Sequence, residues 1–332
     1  MFPEEVKNKT VFVAPLDWGL GHATRCIPII KTLLDNSNRV VLGVTKSTER
    51  VLLEEFPKLE KVYLPEYAIR YSALLPLWLK LLLQYPAIKR VVSNEHKLLN
   101  EIINTHKIDF VISDNRYGLY HSKIKSVIIC HQLNLKTPFF TSFANRVHNK
   151  LLKKFSEIWV PDFEDKTIRL AGELSNNISN LNAVYIGPQS RLTKSVQASK
   201  YDYLFLLSGP EPLQGNFLDA VLKFSPELNG KKIAIVSGSR KNVQTNSNDN
   251  YFYLPDAKAL SELVCCSDTI ICRSGYSTLM DLNKLDKKEL VLVPTKGQTE
   301  QEYLASYWKS KFGARVALSE KKLFNLLKSK KA

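Results

Sequence analysis

The sequence predicts an α/β protein of two Rossmann-like, doubly wound domains that face a cleft. Short apolar runs rich in β-branched residues alternate with longer amphipathic segments, which is the pattern of strand–helix units around a parallel sheet. This series runs through the first half of the chain and then begins again. The length of 332 residues also suits two domains, since one domain usually has about 100–200 residues.

The first predicted domain covers residues 1–186. Its predicted strands are Thr10–Ala14, Val40–Val44, Lys61–Leu64, Phe110–Ser113, Val127–Cys130 and Glu157–Val160. Its predicted helices are Thr24–Asp35, Lys46–Glu55, Leu75–Gln84, Val91–Thr105 and Thr141–Phe155.

A polar segment at 187–202 follows and is predicted to be a linker, because it opens with Gly187-Pro188 and lacks apolar periodicity. The second predicted domain covers residues 203–318. Its predicted strands are Tyr203–Leu207, Lys232–Val236, Tyr251–Leu254, Thr269–Cys272 and Leu290–Pro294. Its predicted helices are Asn216–Phe224, Ala257–Cys265, Ser277–Leu285 and Glu300–Lys311. Residues 319–332 are predicted to form a basic amphipathic helix or a frayed tail.

The charge balance favours an anionic partner. The chain has 47 Lys and Arg against 32 Asp and Glu, a formal charge of +15. This excess suits phosphorylated ligands, nucleic acid or an anionic membrane surface. Because no motif of a DNA- or RNA-reading module is present and the basic residues are spread along the chain, no nucleic-acid partner is expected.

The cysteines and the N-terminus bear on location. Five cysteines without metal-ligand spacing predict no metal site and suit a reducing compartment. The first ten residues lack the apolar core of a signal peptide. The expected location is therefore the cytoplasm, with a possible peripheral contact on the inner face of the cell membrane. The segment Ala68–Arg90 mixes Leu, Trp and Tyr with flanking basic residues, and either an interfacial patch on anionic lipid or a buried helix explains it.

The loop after the first strand carries the main catalytic candidate. In DWGLGHATRCIPII (Asp17–Ile30), Gly19 and Gly21 allow a close approach of backbone to ligand, and the helix that follows offers free N–H groups to an anion. His22 has an ordinary pKa near the working pH and suits a general base. Arg25 is a candidate substrate-binding residue in the same motif.

The loops after two later strands add candidates to the same edge of the sheet. Asp114 either accepts a hydrogen bond from His22 and orients it, or caps the turn that follows; both interpretations stay open. The other candidate substrate-binding residues of SDNRYGLYH and CHQLN are Asn115, Arg116, His131 and Gln132.

Three loops of the second half suit a diphosphate and a ribose. Ser208 and Gly209 follow its first strand and present a hydroxyl and a backbone N–H, although an ordinary turn also explains them. A carboxylate one or two helical turns after a strand, such as Asp281, suits ribose hydroxyls. The remaining candidate residues of CRSGYSTLMDL and VPTKGQTEQEYLA are Arg273, Ser274, Gly275, Ser277, Thr278, Gln298, Glu300 and Gln301.

On these motifs the chain resembles the GT-B glycosyltransferases, and within them the subgroup of MurG, an N-acetylglucosaminyltransferase. The resemblance implies that the first domain binds the acceptor and the second binds a nucleoside-diphosphate sugar, with UDP as its nucleotide and no separate cofactor. It assigns the ribose carboxylate to Asp281, the donor-sugar contact to Gln301 and the acceptor-side histidine to His22. Departures from the family pattern are Ala305 in place of a carboxamide and Trp18 and Leu20 among the glycines of the first loop.

These patterns together predict an inverting, metal-independent transferase that moves a hexose, GlcNAc among the candidates, to a lipid-linked or glycan acceptor. The motif GHATRC also resembles that of the UDP-sugar hydrolase of pseudaminic acid synthesis, in which the histidine activates water. A non-catalytic protein that binds sugar nucleotides is the third hypothesis. No acidic pair of the DxD type follows a predicted strand, which favours metal independence.

Overall fold

The computed structural model of the chain describes residues 1–67, 77–228, 230–245 and 249–329, with the backbone alone for 77–83. The chain divides into two compact units and passes from the first to the second between Arg191 and Leu192. No helix among these residues is long and apolar enough to cross a membrane.

The first unit is built on a seven-stranded parallel sheet. Its strands are β1 (Thr10–Pro15), β2 (Arg39–Val44), β3 (Glu60–Tyr63), β4 (Phe110–Asp114), β5 (Lys125–Ile129), β6 (Glu157–Val160) and β7 (Ala183–Tyr185). Its helices are α1 (Leu20–Asp35), α2 (Lys46–Glu55), α3 (Leu77–His106) and α4 (Thr141–Leu152). The strand order is β3-β2-β1-β4-β5-β6-β7, and every pairing is parallel.

The second unit repeats this design with six strands. They are β8 (Tyr201–Leu206), β9 (Ile233–Ser237), β10 (Asp249–Tyr253), β11 (Ser267–Cys272), β12 (Leu290–Leu292) and β13 (Arg315–Val316). Its helices are α5 (Leu213–Phe224), α6 (Ala257–Cys265), α7 (Tyr276–Lys284), α8 (Thr299–Phe312) and α9 (Glu320–Ser329). The strand order is β10-β9-β8-β11-β12-β13, again parallel throughout, which confirms the predicted class of two Rossmann-like, doubly wound domains.

The sheet of the first unit is covered on both faces, as doubly wound sheets require. Along β1, Val11 and Val13 pack with α1 and α2, while Phe12 and Ala14 pack on the opposite face with Leu99 and other residues of α3. Successive side chains of a strand point to opposite faces, so β1 must be apolar at every position. This explains the continuous apolar run in the sequence.

Four features differ from the sequence-based prediction. Strands β7 and β13, three and two residues long, were not predicted because such short edge strands leave little pattern. The two helices predicted at 75–84 and 91–105 are one helix, α3, which continues through Pro86. Helix α1 begins at Leu20 rather than Thr24, so His22 lies in its first turn and not in a loop.

Two further predicted segments are placed only in part. The greater part of 68–90 lies outside the residues described with side chains, so neither interpretation of that segment is decided. At the C-terminus α9 is a helix of the second unit, where Leu323 and Leu327 join the core and the ring of Phe324 stacks on Phe224 at 3.7 Å.

The direction of strand succession reverses between β1 and β4 in the first unit and between β8 and β11 in the second. At such a point the two connections leave the sheet toward opposite faces and open a crevice beyond the strand ends. The segments after β1 and β4, and after β8 and β11, are therefore the places where each unit can hold a ligand.

We expect Gly43→Ala in β2 to destabilise the first unit. A Cβ at this position would lie 2.7 Å from the Cβ of Ala14 and 2.7 Å from the ring of Phe12, inside a closed core. Such overpacking costs about 1–3 kcal/mol of unfolding free energy, measurable by urea denaturation. The control is Gly275→Ala, whose added methyl meets no atom within 4 Å. Equal stability of the two variants would contradict the packing described for β2.

Candidate functional site

The reversal point of the first unit places a histidine on a buried carboxylate. His22 is the third residue of α1, and Asp114 is the last residue of β4. The Nδ1 atom of His22 lies 2.8 Å from Oδ1 of Asp114. The carboxylate is completely buried, whereas the side chain of His22 keeps 18% of its surface exposed. Among the described residues, the other ring nitrogen, Nε2, has no hydrogen-bond partner. Of the two interpretations of Asp114, the contact with His22 is the one the structure contains.

Arg25 completes this group from the next turn of α1. Its Nε atom donates to Oδ2 of Asp114 at 2.5 Å, and its Nη2 atom donates to Oδ1 of the same carboxylate. Only 2% of the Arg25 side chain is exposed. A buried carboxylate needs a counter-charge and hydrogen-bond donors, and this bidentate guanidinium supplies both.

The charges of the group follow from these contacts. Burial by itself would raise the pKa of Asp114, but Arg25 and His22 hold the pKa well below its usual range, so the carboxylate is ionised. Although burial opposes it, the attraction of Asp114 raises the pKa of Arg25, which stays protonated. Burial lowers the pKa of His22, Asp114 partly offsets this, and Arg25 lowers it further. The imidazole is therefore neutral at pH 7.

Two contacts act on Nδ1 of His22. Oδ1 of Asp114, at 2.8 Å, can only accept, and Nη2 of Arg25, at 2.9 Å, can only donate. A proton on Nδ1 is donated to Asp114 and leaves the lone pair on Nε2, whereas a lone pair on Nδ1 accepts from Arg25 and puts the proton on Nε2. The first tautomer is the one in which Nε2 can take a proton from a substrate.

Three more predicted residues lie around this group. Nδ1 of His131 lies 3.4 Å from Nη1 of Arg25, and the ring is nearly buried. Nε2 of Gln132 lies 3.5 Å from Nε2 of His131. Asn115 directly follows Asp114 in a left-handed conformation, and its buried Oδ1 has no hydrogen-bond partner among the residues that the structure describes. Gly19 precedes α1 with a φ of 121°, where a side chain would be strained, and Gly21 lies in the first turn of α1.

Arg116 makes hydrogen bonds within the first unit. It is fully buried, and its guanidinium donates to the carbonyl of Pro15 at 2.9 Å, to the carbonyl of Pro65 and to the carboxylate of Glu95. Its Nη2 atom also lies 3.6 Å from Oδ1 of Asp17. Arg116 thus fixes the segment between β1 and α1 from beneath. Glu95 was not predicted from the sequence, because nothing in the pattern of an amphipathic helix shows which carboxylate faces inward.

The reversal point of the second unit joins two hydroxyls at a helix N-terminus. Ser208 follows β8, and its Oγ lies 3.4 Å from Oγ1 of Thr278 in the first turn of α7. Gly275 caps α7 with extended backbone and open space around it. The first N–H groups of a helix have no partner inside it and form an anion site with the helix dipole. Gly209 has a φ of 117°, which requires a glycine.

Several predicted donor-site residues make hydrogen bonds to loops within this unit. Ser274 is buried and donates to the carbonyl of Gln301 at 2.7 Å. The amide oxygen of Gln301 accepts a hydrogen bond from the backbone N–H of Thr295 at 2.9 Å. Its amide nitrogen donates to Oε1 of Gln298 at 2.6 Å. Arg273 donates to the carbonyl of Val293 at 3.1 Å and to Glu320 of α9 at 3.0 Å. The remaining predicted residues are partly exposed: Ser277 and Asp281 on α7, and Glu300 on α8.

Comparison with solved structures finds this fold in glycosyltransferases. The calicheamicin glycosyltransferase matches 97% of this chain and 90% of its own, with a TM-score of 0.66 and 12% identity. The spinosyn rhamnosyltransferase SpnG, complexed with thymidine diphosphate, matches 96% of this chain and 90% of its own, with a TM-score of 0.61 and 12% sequence identity. MurG of Acinetobacter baumannii matches 97% of this chain and 91% of its own, with a TM-score of 0.55 and 15% sequence identity. The chain has the GT-B fold.

At these identities the likeness extends to the fold and no further. No protein-family model and no curated protein matches the sequence. Within the described part of the chain, no three His, Cys, Asp or Glu side chains are grouped to hold a metal ion.

We expect the unfolding free energy to fall with acid below pH 6.5 more steeply in the native protein than in His22→Gln. The pKa of His22 is lower in the folded chain than its ordinary value near 6.5, so the unfolded chain binds the proton first as the pH falls. One such group contributes at most about 1.4 kcal/mol per pH unit. Urea titrations at pH 5, 6, 7 and 8 measure the difference.

The matched control for this pH series is His106→Gln. His106 also pairs with a carboxylate, Oε1 of Glu60 at 2.7 Å, and its side chain is also 18% exposed, but Glu60 is itself 43% exposed. If His22→Gln and the native protein lose stability in parallel below pH 6.5, His22 is not held neutral by its surroundings.

Proposed function

We propose that this chain is an inverting, metal-independent glycosyltransferase that moves a hexose from a UDP-sugar to a hydroxyl of a lipid-linked or glycan acceptor. GlcNAc is the first sugar to test, since the sequence most resembles MurG. The observation that carries the proposal is the contact of His22 with the buried carboxylate of Asp114, with no partner on Nε2 among the described residues, at the reversal point of a sheet in a GT-B fold.

The chemical step needs a base and a stabilised leaving group. Nε2 of His22 takes the proton of the acceptor hydroxyl while that oxygen attacks the anomeric carbon. The imidazolium that forms is stabilised by the buried carboxylate of Asp114, whose own charge is held by Arg25. The bond from the anomeric carbon to the diphosphate oxygen breaks, with inversion, and the nucleoside diphosphate leaves.

The second unit supplies the groups for the leaving diphosphate. The free N–H groups at the start of α7 and the hydroxyls of Ser208 and Thr278 can hydrogen-bond phosphate oxygens. Asp281, one turn further along α7, is the proposed ribose carboxylate. Because both ends of its amide are already engaged, Gln301 is proposed to shape the loop at 295–298 rather than to bind the sugar directly.

A UDP-sugar hydrolase is the second candidate function, and one observation supports it. The part of the His22 side chain that is exposed can meet water as well as an acceptor. The two reactions are separated by incubating the pure protein with a panel of sugar nucleotides, with and without a membrane-lipid extract. Release of nucleoside diphosphate only with the extract identifies a transferase; free sugar without any acceptor identifies a hydrolase.

We expect His22→Ala to lower kcat about 10²–10⁴-fold, the usual contribution of a general base, with little change in donor affinity. In the native protein the rate rises with pH through a midpoint below 6.5 and then stays level, because the base acts when deprotonated and its pKa is lowered. His106→Ala is the control and keeps full activity. A His22→Ala variant with native kcat, or a His106→Ala variant equally impaired, would remove His22 from the mechanism.

We expect Gly275→Ala to weaken UDP binding at least about tenfold, because the methyl enters the open space at the N-terminus of α7. The stability of this variant should stay within about 0.5 kcal/mol of the native protein, as for substitutions that disturb no packing. Titration calorimetry with UDP measures the first effect and urea denaturation the second. Gly313→Asn is the control in the same unit, since Asn tolerates the left-handed φ of 73° at the end of α8. Unchanged UDP affinity in Gly275→Ala would place the diphosphate elsewhere.

A further inference from the structure

The start of α4 carries a cluster of exposed aromatic side chains. Phe139, Phe140 and Phe143 expose 64%, 84% and 64% of their surface, and Val147, one turn on, exposes 37%. We call these four residues the phenylalanine face. Phe143 and Val147 are four residues apart and share one side of the helix, while His148 and Leu152 are buried on the other side. The phenylalanine face therefore lies outside the buried clusters of the first unit.

The backbone at Phe140 makes this exposure costly. Phe140 precedes α4 with a φ of 55° and a ψ of 33°, the left-handed region that a bulky residue rarely adopts. Asparagine or glycine would suit this conformation better. A phenylalanine that strains the backbone and points its ring into solvent serves neither the local conformation nor the packing. Such residues mark functional positions.

The chain segment that carries the phenylalanine face has basic residues and no acidic ones. Residues 135–155 contain Lys136, Arg146, Lys150, Lys153 and Lys154 and no Asp or Glu. All five side chains are exposed. The first acidic residues on either side are Asp114 and Glu157. Exposed aromatic rings on a segment that carries exposed cations and no carboxylate are the combination that binds the interface of an anionic bilayer.

We propose that the phenylalanine face docks on the surface of an anionic phospholipid membrane. The three rings enter the boundary between headgroups and acyl chains, and the five basic side chains bind lipid phosphates. This deepens the membrane contact implied by a lipid-linked acceptor and rests on the proposed function for its purpose, but the docking itself needs no catalysis. A second copy of the chain is disfavoured as the occupant, since a two-fold contact would bring two sets of five cations together.

The test is sedimentation of the full-length protein with vesicles of pure phosphatidylcholine or of phosphatidylcholine with phosphatidylglycerol. The native protein is expected to bind the anionic vesicles and not the neutral ones, and to lose binding as the salt concentration rises. Equal binding to both kinds of vesicle, or none to either, would overturn the proposal.

Phe140→Asn is the decisive variant. Asn fits the left-handed backbone, so the protein should keep or gain thermal stability while its vesicle affinity falls about tenfold through the loss of one inserted ring. The control is Ile178→Asn, which removes another exposed apolar side chain of the same unit, 67% exposed, and should leave binding unchanged. Native affinity in Phe140→Asn, or an equal loss in Ile178→Asn, contradicts the docking face.

Two triple variants with the same change in net charge test the basic side chains separately from the aromatic rings. Arg146→Glu, Lys150→Glu and Lys153→Glu together should weaken binding to anionic vesicles at least about a hundredfold. Lys7→Glu, Lys9→Glu and Lys58→Glu change the net charge equally on other exposed parts of the unit and should cost far less. An equal loss of vesicle affinity in the two triple variants would show that binding depends only on net charge, and would overturn the proposed docking at the phenylalanine face.

Two readouts keep this proposal distinct from the proposed function. His22→Ala should bind anionic vesicles as the native protein does, whatever happens to turnover. Light scattering without lipid should give the same mass for the native protein and Phe140→Asn. A larger mass that only the native protein shows would make the face a contact between copies and would overturn membrane docking.

Discussion

The buried charge of Asp114 is the constraint on which the candidate site depends. A carboxylate without access to water is strongly unfavourable unless donors and a counter-charge surround it. Arg25 meets this need with two hydrogen bonds from α1, and Nδ1 of His22, one turn earlier, lies 2.8 Å from Oδ1 of the same carboxylate. Three side chains from a strand end and a helix start are thereby fixed together. The geometry that neutralises the carboxylate is also the geometry that leaves Nε2 of His22 free.

The fold explains why this group forms where it does. In each unit the strand succession reverses beside the first strand, and the chain leaves the sheet there on both sides. The first unit uses this point for titratable groups, His22 and Asp114. The second uses it for neutral donors, Ser208 and the N-terminus of α7. A proton acceptor and an anion site are different chemical requirements, and the same architecture meets both by changing the side chains after equivalent strands.

The sequence was informative where one feature repeats along a stretch of chain. Buried parallel strands are apolar at every position, so most strands were predicted within a few residues of their ends, and Glu157–Val160 without error. The break predicted between residues 84 and 91 was wrong, because α3 continues through Pro86 and tertiary context can hold a helix through a proline. The pairing of His22 with Asp114 was predictable because both follow strands that are neighbours in a doubly wound sheet.

The sequence was uninformative about the direction in which single polar side chains point. Arg116 lies two residues after Asp114 but turns beneath the sheet end, where Glu95 binds it. Gln301 and Arg273 look like ligand contacts in a motif, yet they hydrogen-bond loops of their own unit. The orientations of Arg116 and Arg273 depend on partners 20 or more residues away, which no local pattern contains. Gln301 turns to Thr295 and Gln298 of the loop beside it, and no periodicity marks that choice.

The most direct test of this account is nitrogen NMR of the His22 ring, with the resonance assigned by comparison with His22→Gln. We predict a neutral imidazole at pH 7 with its proton on Nδ1, and an Nε2 that takes up a proton only below pH 6.5. An imidazolium at pH 7, or a neutral ring with its proton on Nε2, would contradict it, because no lone pair would then be available to accept a proton from a substrate.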